Sequence, residues 1–202
     1  MNKLQGLGRF EQLVRKSRFV AIAGPIDRVD ESHEFLKRHG LSNCQHVCWA
    51  YRVHSRVRYD DAGEPSGCAG RPIFNAIDQL DLDHTMVVVN RFFGGIKLGT
   101  GGLARAFSSA AHEAIESAIR ASGIKAIIAM QRLTIVTGFE QEAAVRQLLL
   151  EHQGMAASAD YLATGLVLQA ELPTTELQSF QTELAESTRG QAEMRLVDSS
   201  SA

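Results

Sequence analysis

The sequence predicts an α+β protein built from two domains, residues 1–128 and 129–202. The first part alternates β-type runs with helix-like runs, and the second part follows a regular strand–helix–strand–strand–helix–strand order. The charge is divided in the same way. Residues 1–125 hold 17 Lys and Arg against 13 Asp and Glu, whereas residues 126–202 hold 4 against 10. This split indicates two domains with different surfaces, of which the first suits anionic partners better.

In the N-terminal domain, apolar runs that end at turn residues predict strands, and amphipathic runs predict helices. Gly24-Pro25 ends the first strand, and Gly40 ends the first helix. The strand at 124–130 is expected to lie at the boundary between the domains. The predicted strands are 17–23, 46–59, 85–89 and 124–130, and the predicted helices are about 27–39, 71–80 and 103–121.

In the C-terminal domain, the βαββαβ order is typical of a ferredoxin-like fold. Pro173 precedes the second helix and Gly190 follows it, as start and stop signals require. The tail 199–202 is expected to be mobile. The predicted strands are 132–137, 155–161, 166–172 and 192–197, and the predicted helices are 139–153 and 174–187.

The composition is that of an ordinary globular protein, with 45% apolar and 22% charged residues among 202. No apolar run reaches the length that spans a membrane, and the N-terminal residues lack the apolar core of a signal peptide. A cytoplasmic location without a membrane partner is therefore expected. The three cysteines are odd in number and close together, which indicates reduced thiols rather than disulfides.

A glycine-rich stretch lies between the strand at 85–89 and the helix at 103–121. It contains Gly94, Gly95, Gly99, Gly101 and Gly102. Glycine lets a ligand approach the backbone closely, and a helix N-terminus favours an anion. Nearby cations would add positive charge, namely Lys97 and Arg105. The alternative is a tight turn that serves packing alone.

The stretch does not match the named phosphate loops. A Walker A loop needs Lys after its last glycine, but Thr100 follows Gly99. The residues from Gly99 to Ala104 fit the dinucleotide fingerprint by letter, but the acidic residue expected at the end of a following strand is missing. Neither an ATPase nor a dehydrogenase is predicted, and no cofactor is expected.

The segment 46–59 alternates more clearly than any other. Read as one strand, it places Arg52, His54, Arg56 and Arg58 on one face. Four basic groups in one row repel each other unless an anion or carboxylates lie nearby. One interpretation is a stripe that contacts RNA phosphates with little base specificity. The other is a solvated face, or an edge strand that its charge protects from aggregation.

The loop 60–70 carries two candidate acid/base groups, Asp61 and Glu64, although exposed loop carboxylates usually have no such role. Three potential metal ligands, Cys44, His46 and Cys48, lie close together upstream. Zinc sites usually combine separated ligand pairs, and no second pair occurs, so no metal site is predicted. A Cys48–His46 nucleophile would need an orienting partner and an oxyanion hole, and a buried thiol is expected instead.

Aromatic residues could also serve as stacking platforms for bases. Trp49, Phe92 and Phe93 are the candidates, but aromatics within strand runs are more often part of the core.

Three ordered motifs resemble the IMPACT/YigZ family and span most of residues 15–125. Two positions depart from the family pattern: Asp61-Ala62 stands where the family has Asp-Asp, and Cys68 where it has Thr. The first departure weakens any role for paired carboxylates in chemistry there. The motifs are His-Val-Cys-Trp-Ala-Tyr-Arg at 46–52, Gly-Glu-Pro-Ser-Gly-Cys-Ala-Gly-Arg-Pro at 63–72, and Arg-Phe-Phe-Gly-Gly-Ile-Lys-Leu-Gly-Thr-Gly-Gly-Leu at 91–103.

The resemblance implies an N-terminal domain with the fold of the second domain of a small-subunit ribosomal protein, a fold also seen in GHMP kinases. Residues 102–111 loosely resemble the phosphate-binding motif of those kinases. The resemblance implies a C-terminal domain similar to domains of elongation factors. Eukaryotic relatives regulate translation under amino-acid starvation by competing for the ribosome-associated activator of a stress kinase. For bacterial members, RNA or ribosome binding is the usual suggestion.

The leading hypothesis is therefore a cytoplasmic protein that binds RNA or the ribosome, with a translation-associated protein as a further candidate partner, and that affects translation. The competing hypothesis is an enzyme that acts on a small phosphorylated or nucleotide ligand at the glycine-rich stretch, with Asp61 or Glu64 as the acid/base group. A third is a protein-binding adaptor. The predicted anion surface comprises Arg52, His54, Arg56, Arg58, Arg71, Arg91, Lys97 and Arg105, together with the backbone amides at Gly94, Gly95, Gly99, Gly101 and Gly102.

Overall fold

The computed structural model describes residues 1–197, so the tail expected to be mobile lies outside the described residues. The chain divides into an N-terminal unit, Met1–Ile127, and a C-terminal unit, Ile128–Ala202. The strands are β1 (Asn2–Leu4), β2 (Gly8–Val14), β3 (Ser17–Pro25), β4 (His46–Val53), β5 (Arg56–Asp60), β6 (Thr85–Phe92), β7 (Ile124–Ala126), β8 (Met130–Thr137), β9 (Met155–Leu162), β10 (Gly165–Pro173) and β11 (Glu193–Leu196). The α-helices are α1 (Glu31–His39), α2 (Gly70–Gln79), α3 (Thr100–Ser122), α4 (Glu142–Glu151) and α5 (Leu177–Ser187).

The N-terminal unit is built on a five-stranded antiparallel sheet with the strand order β2-β3-β6-β4-β5. Helices cover both faces of this sheet. Alternate residues of β3 and β6, such as Phe19 and Val87, pack under α2 and α3. The residues between them, such as Val20 and Val88, pack with Phe35 of α1. Because both faces are buried, the central strand β6 reads as a continuous apolar run.

The prediction of one long strand at 46–59 was wrong. β4 and β5 form a hairpin whose register pairs Val53 with Arg56, so His54 and Ser55 make a two-residue turn. His54 has φ 55°, in the left-handed region that reverses the chain. The turn interrupts the period-2 alternation, so the side chains beyond it change faces relative to those before it.

Two further predictions were wrong in detail. The strand expected at 124–130 is the short β7 followed by a separate β8, and β7 pairs antiparallel with β1. The strands β1 and β2 were not predicted at all. β2 lies at an edge of the sheet, and exposed and less exposed residues alternate along it. Its weak apolar pattern explains the omission.

The C-terminal unit has a four-stranded antiparallel sheet in the order β11-β8-β10-β9. The order of its elements along the chain, βαββαβ, is the predicted one. One sheet face, with Leu133 and Leu168, forms a core with Leu149 of α4 and Phe180 of α5. His152 follows α4, and its Nδ1 lies 2.9 Å from Oε2 of Glu176.

Within residues 1–197, no helix combines the length and the apolar character that crossing a membrane requires.

Candidate functional site

The glycine-rich stretch forms the loop between β6 and α3. Gly95 (φ 84°) and Gly99 (φ 70°) are left-handed, a conformation that other residues adopt at a cost. A Cβ at either position would meet no atom within 4 Å, so the loop is open there. Gly94 differs, because a Cβ would lie 2.0 Å from the backbone of Lys16 in the β2–β3 turn. The loop is therefore fixed against that turn at one end and is open further along.

The N-terminus of α3 is exposed at the end of this loop. The Leu103 N–H donates to the Gly99 carbonyl at 2.9 Å and closes the first turn. No side chain of residues 1–197 caps this helix, and the residues Thr100 and Gly101 are exposed. The first turn contains no acidic residue. Its free N–H groups and the dipole of a 23-residue helix favour an anion at this position.

Exposed cations surround this helix end. Arg105, one turn into α3, lines a groove with Arg15 and Gln12 of the β2–β3 hairpin. On its other side it lines a groove of about 630 Å³ with Asn75 of α2. The Arg71 Nε–H donates to Oδ1 of Asn75 at 3.3 Å. We define the α3 basic surface as the amides of residues 100–102 with the exposed side chains of Arg15, Lys16, Arg71, Lys97 and Arg105.

Two cations of this surface, Arg15 and Lys16, were not predicted from the sequence. These residues form the turn between β2 and β3, with φ values of 45° and 68°. The backbone of Lys16 lies against Gly94, which brings the turn beside the glycine-rich loop. Two consecutive cations at a hairpin turn are the signal that would have identified them, had β2 been predicted.

The structure does not place Arg52, His54, Arg56 and Arg58 on one face, as was predicted. Arg52 faces α2, where its guanidinium forms an ion pair with Asp78 and lies 5.1 Å from the centre of the Phe74 ring. The register pairs Arg56 with Val53 and Arg58 with Tyr51, so both arginines share the α1 face of the sheet.

His54 lies in the turn itself. Arg56 and Arg58 are exposed on β5, the edge strand of the sheet. They lie across the sheet from α2 and α3, which carry Arg71 and Arg105. The structure therefore separates the β5 arginines from the α3 basic surface.

Arg91 is not an exposed anion ligand, because it is buried in an ion pair with Glu64. His46 Nε2 lies 3.7 Å from the same Glu64 oxygen, and His46 Nδ1 donates to the Ala62 carbonyl at 2.9 Å. The Arg91 guanidinium also lies 5.5 Å from the centre of the Phe93 ring, at the start of the glycine-rich loop. The contacts of Glu64 with Arg91 and His46 thus connect the loop at 63–68 to the end of β6, and they leave Glu64 buried.

Asp61 caps helix α2. Its carboxylate accepts N–H groups from Gly67, Ala69 and Gly70 at 2.8, 2.9 and 2.8 Å. Burial raises the pKa of this carboxyl, but the three hydrogen bonds stabilise the charged form, and the net pKa lies below its ordinary value. A carboxylate engaged in this way is a structural cap and is poorly suited to acid/base chemistry.

Removing this cap should destabilise the N-terminal unit. Asp61→Ala leaves the α2 amides without their acceptor, at an expected cost of about 1–2 kcal/mol. Because the folded pKa is lowered, the stabilisation is complete above the ordinary carboxyl pKa and is lost as the pH falls through the folded value. Urea unfolding, followed by fluorescence of Trp49 in β4, the single tryptophan, measures both effects.

The control for this prediction is Asp60→Ala. Asp60 is an exposed neighbour that accepts only the Ala62 N–H, at 2.7 Å, among the hydrogen bonds of the described residues. Asp60→Ala should therefore lower the free energy of unfolding less than Asp61→Ala does. A difference between wild type and Asp61→Ala that stays constant from neutral to acid pH would contradict the role assigned to the ionised carboxylate.

The three cysteines are free, as predicted. The Cys48 thiol is buried and donates to the Asp61 carbonyl at 3.1 Å. Burial, together with the negative charges of Glu64 and Asp61, raises the pKa of this thiol. With His46 engaged by Ala62 and Glu64, Cys48 is suited neither to nucleophilic chemistry nor to metal binding.

The three aromatic candidates differ in exposure. Trp49 is partly buried against the α1-side core and stacks on Tyr51 with ring centres 5.8 Å apart. Phe92 packs against the same core. Phe93 is 44% exposed and lies next to the glycine-rich loop, so of these three candidates it is the one placed to stack on a base.

Comparison with known proteins identifies both parts of the chain. Residues 15–115 match the model of the Impact N-terminal domain. Residues 135–191 match a domain of unknown function, DUF1949. The first match covers the hairpin β4–β5, the glycine-rich loop and most of α3, and hence the α3 basic surface.

Curated relatives match over part or most of the chain. An IMPACT family member from Thermus thermophilus is 42% identical over 109 residues, which are 54% of this chain and 60% of that protein. An IMPACT family member from Haemophilus influenzae is 29% identical over 94% of this chain and 93% of that protein. The IMPACT family member YigZ from Escherichia coli is 26% identical over 92% of each.

A solved structure supports the fold independently. The crystal structure of a hypothetical protein aligns with 98% of this chain and 97% of its own, with a TM-score of 0.66 and 24% identity. At that identity the likeness concerns the fold alone. Taken with the match over residues 15–115 and the curated relatives, these findings show that the chain belongs to the IMPACT family.

Proposed function

We propose that this protein binds RNA or the ribosome in the cytoplasm and thereby affects translation, with the α3 basic surface as the contact. The observation that carries the proposal is the uncapped N-terminus of α3, which lies among exposed cations beside an open loop. Backbone amides and arginine side chains are the groups that contact nucleic-acid phosphates. Phe93 adds an exposed ring for stacking beside them.

The charge distribution supports the same function. The net charge of residues 1–125 is +4, from 17 cations and 13 anions, although the whole chain carries −2. Arg52 and Arg91 are paired with carboxylates, so the positive potential is concentrated on the cations that remain exposed. An excess of exposed cations on one unit favours a polyanion over a neutral partner.

The proposed folds of the two units agree with this role. The strand order β11-β8-β10-β9 and the helices of the C-terminal unit support a ferredoxin-like arrangement. For the N-terminal unit, kinship with a ribosomal-protein domain is proposed from the resemblance of its motifs alone. Fold kinship does not transfer function, so the proposal depends on the surface. A translation-associated protein is the further partner proposed for the same surface.

The enzymatic alternative has weaker support. Its two acid/base candidates are occupied: Asp61 caps α2, and Glu64 is buried against Arg91. A thermal-shift screen with nucleotides and sugar phosphates tests this alternative directly. A large stabilisation by one small compound would favour a ligand-binding enzyme over RNA binding.

Gly101 provides a sharp test of the proposal. A Cβ at this position would meet only the Arg105 guanidinium, at 3.7 Å, among the described residues, so Gly101→Val should leave the fold intact. The valine side chain would stand on the open N-terminus of α3 and keep a phosphate from its amides. We expect a filter-binding titration with structured RNA to show a steep salt dependence in the wild type and much weaker binding in Gly101→Val.

Two results would count against the proposal. Absence of RNA affinity at low salt would exclude the RNA partner. Equal affinity of Gly101→Val and wild type would exclude the α3 terminus as the contact. A protein partner that is captured by the wild type after nuclease treatment, and lost in Gly101→Val, would instead identify the translation-associated protein as the ligand of this surface.

A further inference from the structure

A cluster of three potential metal ligands lies away from the α3 basic surface. It consists of His54, Asp83 and His84, which we call the His–Asp–His cluster. His54 forms the β4–β5 turn, and the other two residues precede β6. One ligand atom from each residue lies within 4.8 Å of the other two. The two imidazole rings meet edge to face, with their centres 4.4 Å apart.

Asp83 holds both histidines in place. Asp83 is 5% exposed, and its Oδ1 accepts the backbone N–H of His54 at 2.8 Å and that of His84 at 2.7 Å. A carboxylate offers about four acceptor positions over its two oxygens, so these bonds leave capacity for a cation. The carboxylate thus fixes the backbone at both histidines and supplies a negative charge within 4.8 Å of a ring nitrogen of each.

One feature of the cluster is unexplained by packing. His84 Nδ1 is buried, and no group of residues 1–197 makes a hydrogen bond to it. Buried polar atoms in proteins are nearly always paired, with protein, water or a ligand. His54 and His84 also have φ values of 55° and 50°, in the left-handed region that residues other than glycine rarely adopt.

We propose that the His–Asp–His cluster binds a divalent first-row metal ion such as Zn²⁺. Two imidazoles and one carboxylate with an open fourth position are a known ligand set for this ion, with metal–ligand distances of about 2.0–2.2 Å. The ligand atoms must move closer by about 1 Å to share an ion at those distances. The exposed side chain of His54 can make this adjustment.

Solvent reaches the cluster from one side. His54 lines an open groove of about 720 Å³ with Asp27, Asp30 and His33, which gives an ion a path of entry. Asp27 and Asp30 are paired with Lys3 and Arg28, so neither belongs to the ligand set. The bound ion would join the β4–β5 turn to the start of β6 and thereby stabilise the sheet.

The test is metal binding by the purified full chain, with isothermal titration of Zn²⁺ and absorption spectra of Co²⁺ as probes. We expect one ion per chain, a rise in Tm with Zn²⁺, and a Co²⁺ spectrum without a thiolate charge-transfer band. His54→Asn and His84→Asn should each weaken binding about tenfold or more. Asparagine tolerates the left-handed backbone, so both variants should fold.

His112→Asn is the matched control, because His112 lies on α3 outside the cluster and should be dispensable for binding. Binding of equal strength in His54→Asn, His84→Asn and wild type would overturn the proposal. A thiolate-to-cobalt band would also overturn it, because the ion would then be bound by cysteines. The metal titration needs no RNA, so its result is independent of the proposed function.

Discussion

Replacing Lys97 and Arg105 with alanine is expected to reduce the magnitude of the RNA salt slope by about 1.4–1.8, because each neutralised phosphate contributes about 0.7–0.9 to that slope. Both side chains are exposed beside the uncapped α3 terminus, and Arg105 lines the two grooves that meet there. The reduction of the salt slope should be similar for unrelated RNA sequences, since phosphate contacts carry no base information. Filter binding of one structured RNA at several salt concentrations measures the slope.

The matched control is Arg56→Ala/Arg58→Ala. It removes the same charge from exposed residues of the same unit, but from the edge strand β5. If the α3 basic surface is the contact, this pair should change the slope far less. Equal reductions in both double variants would mean that RNA responds to the overall charge of the unit. A larger effect at Arg56 and Arg58 would move the contact to β5.

Local sequence patterns predicted much of this fold. The apolar run of β6, the glycine-rich loop and the start of α3 follow one another along the chain, so the open helix end was predictable from that segment alone. In the C-terminal unit, the strand and helix periods alternate without interruption, and the βαββαβ order followed from them. These signals depend on residues within a few positions of each other.

The hairpin between β4 and β5 could not be predicted in the same way. Two-residue turns are usually marked by Asn-Gly or Asp-Gly, and His54-Ser55 carries neither signal. The alternation on both sides of the turn looks continuous in the sequence. The sequence alone therefore predicts one strand instead of two, with Arg52 on the same face as Arg58.

The ion pairs of Arg52 and Arg91 could not be predicted from the sequence for a different reason. Asp78 lies 26 residues from Arg52, and the partner of Arg91 is 27 residues away, so no local pattern links the partners. The same holds for the His–Asp–His cluster, because 29 residues separate His54 from Asp83. Only the strand register brings such groups together.

The largest expected effect on stability is at the ion pair between Glu64 and Arg91. The exposed fractions of these side chains are 3% and 6%. Glu64→Leu leaves the Arg91 charge buried without its partner, and Arg91→Met does the same to Glu64. Breaking a buried pair from one side typically costs about 3–5 kcal/mol, because the remaining charge keeps its desolvation penalty.

The double variant Glu64→Leu/Arg91→Met removes both charges and fills the space with apolar groups. Replacement of a whole buried pair by apolar residues is often nearly neutral, so the double variant should be more stable than either single variant. Urea unfolding with Trp49 fluorescence measures the cycle within the N-terminal unit. Additive losses would mean that the two side chains stabilise the unit independently.

The same variants separate structure from binding. If Arg91 only anchors the loop at 63–68 to the end of β6, the folded fraction of the double variant should keep the RNA affinity and salt slope of the wild type. If Arg91 contacts a phosphate instead, affinity should fall even where unfolding shows a fully folded unit. Burial of Arg91 beside Phe19 and Phe93, with Glu64 as its ion-pair partner, favours the first result.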